Sequence, residues 1–359
     1  MSFRPLVVRA IDVGYGHVKF TDGRDPVSHA VRTDSIPSRS PVARSILHQS
    51  GGVVMTRRDT FIVPVGGRRF EVGRDVNLAL HESQETEVMD TGFALSDEYA
   101  ARLFGALNYM ADGLPDKVID VLVLGLPLNT YHLHHTALSG RFVGPLKINE
   151  RGEEIIVRNC HVYPQPLGCY MSHTAGISGG LGKDRMPLIL SVDPGYNTLD
   201  WFTCKGLIAS DARSGAVPRG MGAVIRAIAE DMIKAHGFGT PPAEMVRSID
   251  TALSTGTPLM RYGRVYDLSP HLGAGNEVIH EAVNALKNSV GDGADIDVIT
   301  LSGGGASFYE KAVREKFPHH EIVVLDNPAH ANVRGLHIVG EMLGKSLENA
   351  MRIQDQAHE

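Results

Sequence analysis

Two short segments of this chain place an aspartate at the end of an apolar run and follow it with a glycine turn. One is IDVGYGHVKF, with Asp12, Gly14, Tyr15, Gly16 and Lys19; the other is SVDPGYNTLD, with Asp193, Gly195, Tyr196, Asn197, Thr198 and Asp200. A strand that ends in this way and turns through glycine brings backbone N–H groups to a hairpin tip, where no side chain keeps a phosphate oxygen away. The aspartate itself is no phosphate ligand. Beside a polyphosphate its charge makes sense through Mg²⁺, which keeps much of its water and takes few carboxylate partners. Asp12 and Asp193 are therefore read as carboxylates that hold the metal's waters. Lys19, on the returning strand, is placed to meet a phosphate as a point charge, and the Gly195–Thr198 backbone repeats the phosphate role of the first turn.

A single turn of this kind is more often an ordinary hairpin. Two of them at matching places in successive half-chains shift the balance, because a buried strand rarely ends in a carboxylate twice for packing reasons. A third glycine loop, LSGGGASF with Gly303, Gly304 and Gly305, follows an apolar run and opens a helical one, so a flat base or an α-phosphate can approach its backbone. A nucleotide with its phosphates between the two hairpins and its base on this loop would span a cleft. Hydrolysis then needs a polar group that orients the attacking water. Gln165, at the start of a helical segment after VYP, is the candidate, and a solvent-facing glutamine at a helix start is the alternative. His132, His134 and His135 lack a Cys or carboxylate at ligand spacing and read as a solvated surface. No Ser or Cys stands in a nucleophile elbow.

The elements that must position these loops are legible in outline. Leu6 to Asp12 reads as a buried strand, HVKF as its return closed by TDG, and Phe61 to Val76 as another hairpin. Ser96 to Asp112 opens with a Ser N-cap and acidic residues and keeps Tyr99, Leu103, Leu107 and Met110 on one face, which predicts a helix. Val118 to Leu128 is a nearly unbroken apolar run, the mark of a central strand covered on both faces. Gly144 to Arg158 reads as a polar stretch leading into the strand-like IIVRNCHVYP, and QPLGCYMSHTAGISGG as a helix that runs into a linker at Gly179 to Pro187. Beyond it the strand, Asp, glycine turn and second strand recur, an internal pseudo-repeat. Helices are expected at Gly222 to His236, Pro242 to Leu253, Glu277 to Val290 and Ser307 to Phe317, with strands DVITL and EIVVLD, and a last helix from about Asn332 to Met351.

The chain's 359 residues suit two domains. A net charge of −6 argues against direct DNA binding, since phosphate backbones attract an excess of Lys and Arg. Cys160, Cys169 and Cys204 form neither a metal spacing nor an even disulfide set, which suits a reducing, cytoplasmic setting. No run approaches the length of a membrane span, and no signal-peptide core precedes the first glycine loop.

With these residues in place a resemblance emerges. IDVGYGHVK resembles the first phosphate motif of the actin and sugar-kinase superfamily, SVDPGYNTLD its second, and ITLSGGGASFYEKAVREKF its adenosine motif, in the family's order. VLVLGLPLNTYH, FIVPVGGRRFEVGRD and NPAHANVRGLHIVGEML resemble more narrowly the plasmid-partitioning actin-like proteins of the ParM/StbA type. The resemblance implies an α/β chain of two RNase-H-like domains, each a mixed five-stranded sheet flanked by helices, with an ATP cleft between them. Domain I would take residues 1–180, with a C-terminal helix at about 335–359 packing back on it, and domain II residues 186–334. The cofactors implied are ATP and Mg²⁺, with Asp12 and Asp193 on the metal's waters, Lys19 on phosphate, Gly303 to Gly305 at the adenosine and Gln165 on the attacking water. Arg247 and Asp250 fall near the purine and ribose contacts, and Gln165 to Gly176 and Ala331 to Leu343 would be hinge helices. Tyr15 stands where actin has a small hydroxyl residue, and Tyr196-Asn197 where the second loop has glycine.

With Gln165 as the water positioner hydrolysis should be slow, since a neutral amide orients water without serving as a strong base; the resemblance further implies head-to-tail filaments and an adaptor protein on centromere-like DNA as partner. Two alternatives compete. A small-metabolite kinase of the same superfamily would need a carboxylate base, for which Asp193 and Asp200 are the candidates. A non-polymerising nucleotide switch would be expected to carry an inserted subdomain or an amphipathic tail, and neither is visible in the sequence.

Overall fold

The computed structural model describes residues 4–43, 56–80, 91–175, 186–238 and 243–358, and these fall into two compact units. The first unit takes the described residues up to 175, apart from the last helix of the chain, which returns to it; the second takes those from 186 to 329.

The first unit is built on a six-stranded sheet. Strand β1 (Val8–Val13) pairs antiparallel with β2 (His17–Arg24), and β2 with β3 (Val31–Pro37). A separate hairpin, β4 (Thr60–Val65) and β5 (Arg68–Gly73), precedes helix α1 (Asp97–Met110). Ser96 caps α1, its hydroxyl accepting the Tyr99 N–H at 3.0 Å. Strand β6 (Val118–Leu126) is buried at all nine positions, as a strand between parallel neighbours must be when both faces are covered. Helix α2 (Leu128–Arg141) follows, then β7 (Gly144–Lys147) and β8 (Glu154–Pro164), giving the order β3-β2-β1-β6-β8-β7. Side-chain alternation sorts the two faces: Ile11, Leu122 and Leu124 pack with α1, while Ala10, Val121 and Val123 face Val333 and Leu336 of the last helix. Helix α3 (Gln165–Ala175) leaves β8 without a linker.

The second unit repeats the plan. Its β9 (Leu188–Pro194) and β10 (Leu199–Lys205) are antiparallel, and the outer edge of β10 is covered by two short strands, β11 (Ile208–Ala209) and β12 (Gly215–Val217). Helices α4 (Met221–His236) and α5 (Ala243–Thr255), the small hairpin β13 (Leu259–Arg261) and β14 (Arg264–Tyr266), and α6 (Leu272–Val290) follow. Then come β15 (Val298–Leu301), parallel to β9, α7 (Ala306–Lys316) and β16 (Glu321–Val324), parallel to β15. One core joins β9, β15 and helices α4 to α7. Helix α8 (Ala331–His358) completes the first unit.

Each sheet thus has one strand beyond the five expected: β7 at the edge of the first, and a divided outer neighbour of β10 in the second. The stretch read as polar from Gly144 to Arg158 contains β7 and the start of β8, because its hairpin needs only one apolar face. The TDG that was expected to close β2 lies inside it, where Gly23 (φ 71°) takes up a register shift. Most of the expected linker, Gly176 at the end of the expected hinge helix and Pro242 lie outside the described residues. Helices α3 and α8 cross with their backbones in contact: a Cβ on Gly168 would lie 2.1 Å from the Asn332 carbonyl oxygen, and one on Gly335 would lie 1.7 Å from the Gly168 oxygen.

Candidate functional site

In the first unit three strand ends converge. Asp12 is only 3% exposed; it stands opposite Lys19 on β2 and beside Gly125 on β6, and Gly125 in turn stands beside Tyr163 on β8. Two residues after Tyr163, α3 begins with Gln165, whose Nε2 donates to Asp12 Oδ1 at 2.5 Å. Burying a carboxylate at a strand end is costly without such a donor. Gly125 makes the room: a Cβ there would lie 3.1 Å from Gln165 Cγ and 3.6 Å from Asp12 Oδ1. The C-terminal edge of parallel strands is where open α/β sheets take ligands.

The turn after Asp12 is held from behind. The Gly16 carbonyl accepts the Ser38 N–H at 2.9 Å, and the Tyr15 carbonyl accepts Arg39 Nη1 at 3.3 Å. Buried Arg102 donates to the Ser38 hydroxyl at 3.3 Å. Because a trans peptide points its C=O and N–H in opposite directions, the Gly16 N–H is directed away from Arg39. Positive charge gathers at this loop. Burial, then Lys19 and Arg334, push the His330 imidazole down to about 4, with His17 adding to the effect and Asp34 opposing it.

The second loop is built more tightly. Asp193 and Asp200, 7% and 5% exposed, are direct cross-strand partners on β9 and β10, and the Thr198 hydroxyl donates to Asp200 Oδ2. The Gly195 N–H closes the turn on the Thr198 carbonyl at 2.9 Å. Three successive carbonyls then turn to the start of α4: Gly195 accepts the Met221 N–H at 2.9 Å, Tyr196 the Gly222 N–H at 2.7 Å and Asn197 the Gly220 N–H at 3.1 Å. Their peptide partners, the N–H groups of Tyr196, Asn197 and Thr198, therefore point the other way, the arrangement that makes an anion-binding concavity. A Cβ on Gly220 would lie 2.6 Å from the Tyr196 oxygen, and one on Gly222 2.9 Å from the Tyr196 ring. The bulky Tyr196 thus lies over a glycine of α4.

Of the glycines after β15, two serve the strand beside them. Gly303 has φ 78°, donates its N–H to the Pro328 carbonyl at 2.8 Å, and would carry a Cβ 2.2 Å from Asp193 Oδ1. Gly305 donates to the Pro194 carbonyl at 2.9 Å and abuts Met221. A Cβ on Gly304 would meet nothing within 4 Å, so that residue keeps one face of the loop open. Arg247 and Asp250 stand about one turn apart on α5, both half-buried.

The structure thus gathers Asp12, Gly14 to Gly16, Lys19 and Gln165 in one unit, and Asp193, Gly195 to Thr198 and Gly303 to Gly305 in the other. Arg247 and Asp250 belong to a separate helix. The sequence reading did not single out Gly125, Ser38, Arg39, Gly220, Gly222 or His330; a glycine that interrupts the apolar run of β6 was the one signal available. Of the His cluster, His134 bonds the Thr91 carbonyl at 2.7 Å and His135 the Tyr131 carbonyl at 3.0 Å. Among the described residues no group of three or more His, Cys, Asp or Glu could hold a metal ion, and no helix is long and apolar enough to cross a membrane.

Comparison with known proteins gives the family. The model of the N-terminal domain of actin-like proteins matches residues 10–168, and that of the C-terminal domain of the archaeal actin homologue MreB-like proteins matches residues 191–315. Among solved structures, an archaeal actin homologue, Ta0583, superposes with a TM-score of 0.72 at 20% identity, covering 94% of this chain and 99% of that one. That homologue has also been solved in complex with ADP. The apo psk41 ParM protein gives a TM-score of 0.68 at 18% identity, over 96% of this chain and 100% of that one. The ParM of a 15-stranded filament from Clostridium botulinum gives 0.71 at 17%, over 94% and 100%. No curated protein matches the sequence.

Proposed function

Because the chain belongs to the actin-like proteins and has their two-domain fold, we propose that it is a ParM/StbA-type ATPase. It binds and slowly hydrolyses ATP with Mg²⁺, and it polymerises head to tail into filaments that segregate plasmid or other DNA through an adaptor protein. The observation that carries this reading is the second loop: three successive peptides turn their carbonyls to α4 and their N–H groups away from it, directly after a buried aspartate. The first loop supports it with the same order of strand, aspartate and glycine turn.

In this reading the N–H groups of Gly14 to Gly16 and of Tyr196 to Thr198 receive phosphate oxygens, and Lys19 adds a point charge. Asp12 and Asp193 hold waters of Mg²⁺; two acceptor-only carboxylates suit a metal that keeps its hydration, and when bound it would neutralise phosphate charge. Gln165 anchors its amide nitrogen on Asp12, which leaves Oε1 as the atom that can accept a hydrogen bond from water. Asp12 thereby positions Gln165. A neutral amide orients water without serving as a strong base, so turnover is slow. Gly304 gives the base an open backbone face, with Arg247 and Asp250 as the purine and ribose contacts. A heterologous contact that does not close generates a filament, the form this role requires.

Titration calorimetry with ATP, with and without Mg²⁺, and sedimentation with ATP, ADP and no nucleotide test it. Wild-type protein should bind ATP and pellet with it, and Asp193→Ala should lose hydrolysis. Wild-type hydrolysis in Asp193→Ala would overturn the site, and a chain that binds ATP yet stays monomeric at high concentration would overturn the filament.

A further inference from the structure

A fully buried arginine stands behind the first loop. Arg102 of α1 is 1% exposed, and its neighbours on the helix, Ala101 and Leu103, belong to apolar clusters. Taking a guanidinium out of water is costly, and an apolar side chain of similar volume often serves packing as well or better. This one has its fork in use. Nε donates to the Ser40 hydroxyl at 3.0 Å, Nη1 donates to the Ser38 hydroxyl at 3.3 Å, and Cζ lies 4.8 Å from the Phe93 ring centroid. Both serines are themselves buried. Bonds from a charged donor are the stronger kind, and only the planar fork of arginine reaches two acceptors from one rigid group.

The two serines belong to an irregular segment, Ser38 to Pro41, between the end of β3 and Val42, which bridges to Phe70 on β5. Its far end is fixed to the β4–β5 hairpin: the Pro41 carbonyl accepts the Glu71 N–H at 2.9 Å, and the Ala43 N–H donates to the Arg69 carbonyl at 2.8 Å. Its near end holds the first loop. The Ser38 N–H donates to the Gly16 carbonyl at 2.9 Å and Arg39 Nη1 to the Tyr15 carbonyl at 3.3 Å, so the two peptides that flank Gly16 are both set by this segment. In the second loop the carbonyls are held by the start of α4; in the first, Ser38 and Arg39 take that part. A helix end is rigid through its own hydrogen bonds, whereas an irregular segment needs a clamp from outside. Arg102 supplies it at two points, one on each side of Arg39.

We infer that Arg102 is a positioning residue for the phosphates: through Ser38 and Ser40 it fixes the segment whose donors orient the peptides around Gly16, so the first loop is arranged for a polyphosphate before one arrives. Preorganisation of this kind raises affinity by removing the ordering cost of the loop on binding. The inference rests on the ATP reading above and adds to it a buried residue of α1.

The test uses the full chain with Arg102→Lys, with Ser38→Ala and with both, below the melting temperature of each protein. Affinities for ATP and for adenosine are read by displacement of a fluorescent ATP analogue. Each single change should weaken ATP about tenfold and leave adenosine, which has no phosphate to place, as in the wild type. Because Arg102 acts through Ser38, the double variant should lose little more than either single one. Wild-type ATP affinity in the folded variants would overturn the inference and leave the ATP reading standing. An equal fall for ATP and adenosine would make Arg102 a merely structural residue, and fully additive losses would separate it from Ser38; either result overturns the inference. If Arg102→Lys does not fold, Ser38→Ala decides by itself, a loss confined to ATP supporting the clamp and unchanged ATP affinity refuting it. A wild-type chain that binds no ATP overturns the site reading and the inference with it.

Discussion

Replacing Gly335 by alanine would place a methyl carbon 1.7 Å from the carbonyl oxygen of Gly168. Ordinary carbon–oxygen contacts begin at about 3.3 Å, so α8 and α3 would have to separate by about 1.6 Å. Neither side can yield as a flexible side chain would, since the obstacle is backbone. Forcing extra volume into a packed contact costs about 1–3 kcal/mol, against a gain of at most about 1 kcal/mol from the better helix former. The backbone obstacle puts the cost at the upper end of that range, and the resulting net loss of about 2 kcal/mol corresponds to a fall of roughly 4–8 °C in the thermal midpoint for a unit of this size. The consequence reaches the site, because α3 begins at Gln165, three residues before Gly168 and bonded to Asp12. A misplacement of about 1 Å at a positioning group costs about 100-fold in rate. Gly344→Ala on the same helix is the control. Its Cβ would make only ordinary van der Waals contacts, with Leu6 Cδ1 at 3.4 Å, Val8 Cγ2 at 3.9 Å and Leu6 Cβ at 4.0 Å, so the same substitution should leave the midpoint level or raise it by up to a few degrees. Differential scanning fluorimetry and steady-state ATP hydrolysis on both variants decide the matter. A Gly335→Ala chain with the wild-type midpoint and wild-type turnover would refute the backbone-to-backbone crossing and its link to Gln165.

Gln165→Ala should lower kcat for ATP hydrolysis by about 100-fold with little change in KM; weakened ATP binding with kcat retained would remove the water-positioning role. His330 gives an acid-stability signature. Its folded value of about 4 lies below the ordinary 6.5, so the unfolded chain binds the extra proton, and the linked stability is complete above about pH 6.5 and lost as pH falls towards 4. Solvent access to this partly exposed ring limits the effect to about 1–2 kcal/mol. His330→Gln should therefore flatten the fall in thermal midpoint between pH 6.5 and 4, and equal slopes in the two proteins would rule His330 out as its source.

The two aspartate loops were legible because their signal is local: an apolar run, one carboxylate and glycines within ten residues. The buried strand β6 and helix α1 were legible for the same reason, through an unbroken run of apolar residues and a cap with acidic first-turn residues. What remained hidden depends on residues far apart in the chain. Gln165 could be chosen as a polar group near a helix start, but its bond to Asp12 spans 153 positions and needs Gly125 to make room. Gly168 and Gly335 carry no local signal, and their role shows only where the two helices cross. Helix α2 escaped notice because LNTYHLHHTALSGR carries no apolar stripe and buries only Thr130 and Leu138. Hairpin β13–β14 escaped because Arg-Tyr-Gly-Arg is a poor turn sequence.

The start of α4 explains why the second loop can do what a helix N-terminus ordinarily does. The first N–H groups of a helix have no partner within it and attract anions. Here those of Met221 and Gly222, with that of Gly220 just before the helix, are occupied by the carbonyls of Gly195, Tyr196 and Asn197, so the helix end cannot itself receive a phosphate. Each bond instead aligns one loop peptide with the helix axis and directs its N–H outward, which carries the positive end of the helix dipole one layer further, to the amides of Tyr196, Asn197 and Thr198. Gly220 and Gly222 are glycines because any Cβ would strike the Tyr196 oxygen or ring and hold loop and helix apart. The side chains at positions 196 and 197 are then free to be large, since the interaction runs through their backbone. A tyrosine and an asparagine in this loop are compatible with backbone chemistry for this reason. The demand for small residues falls on the helix beneath the loop, at Gly220 and Gly222.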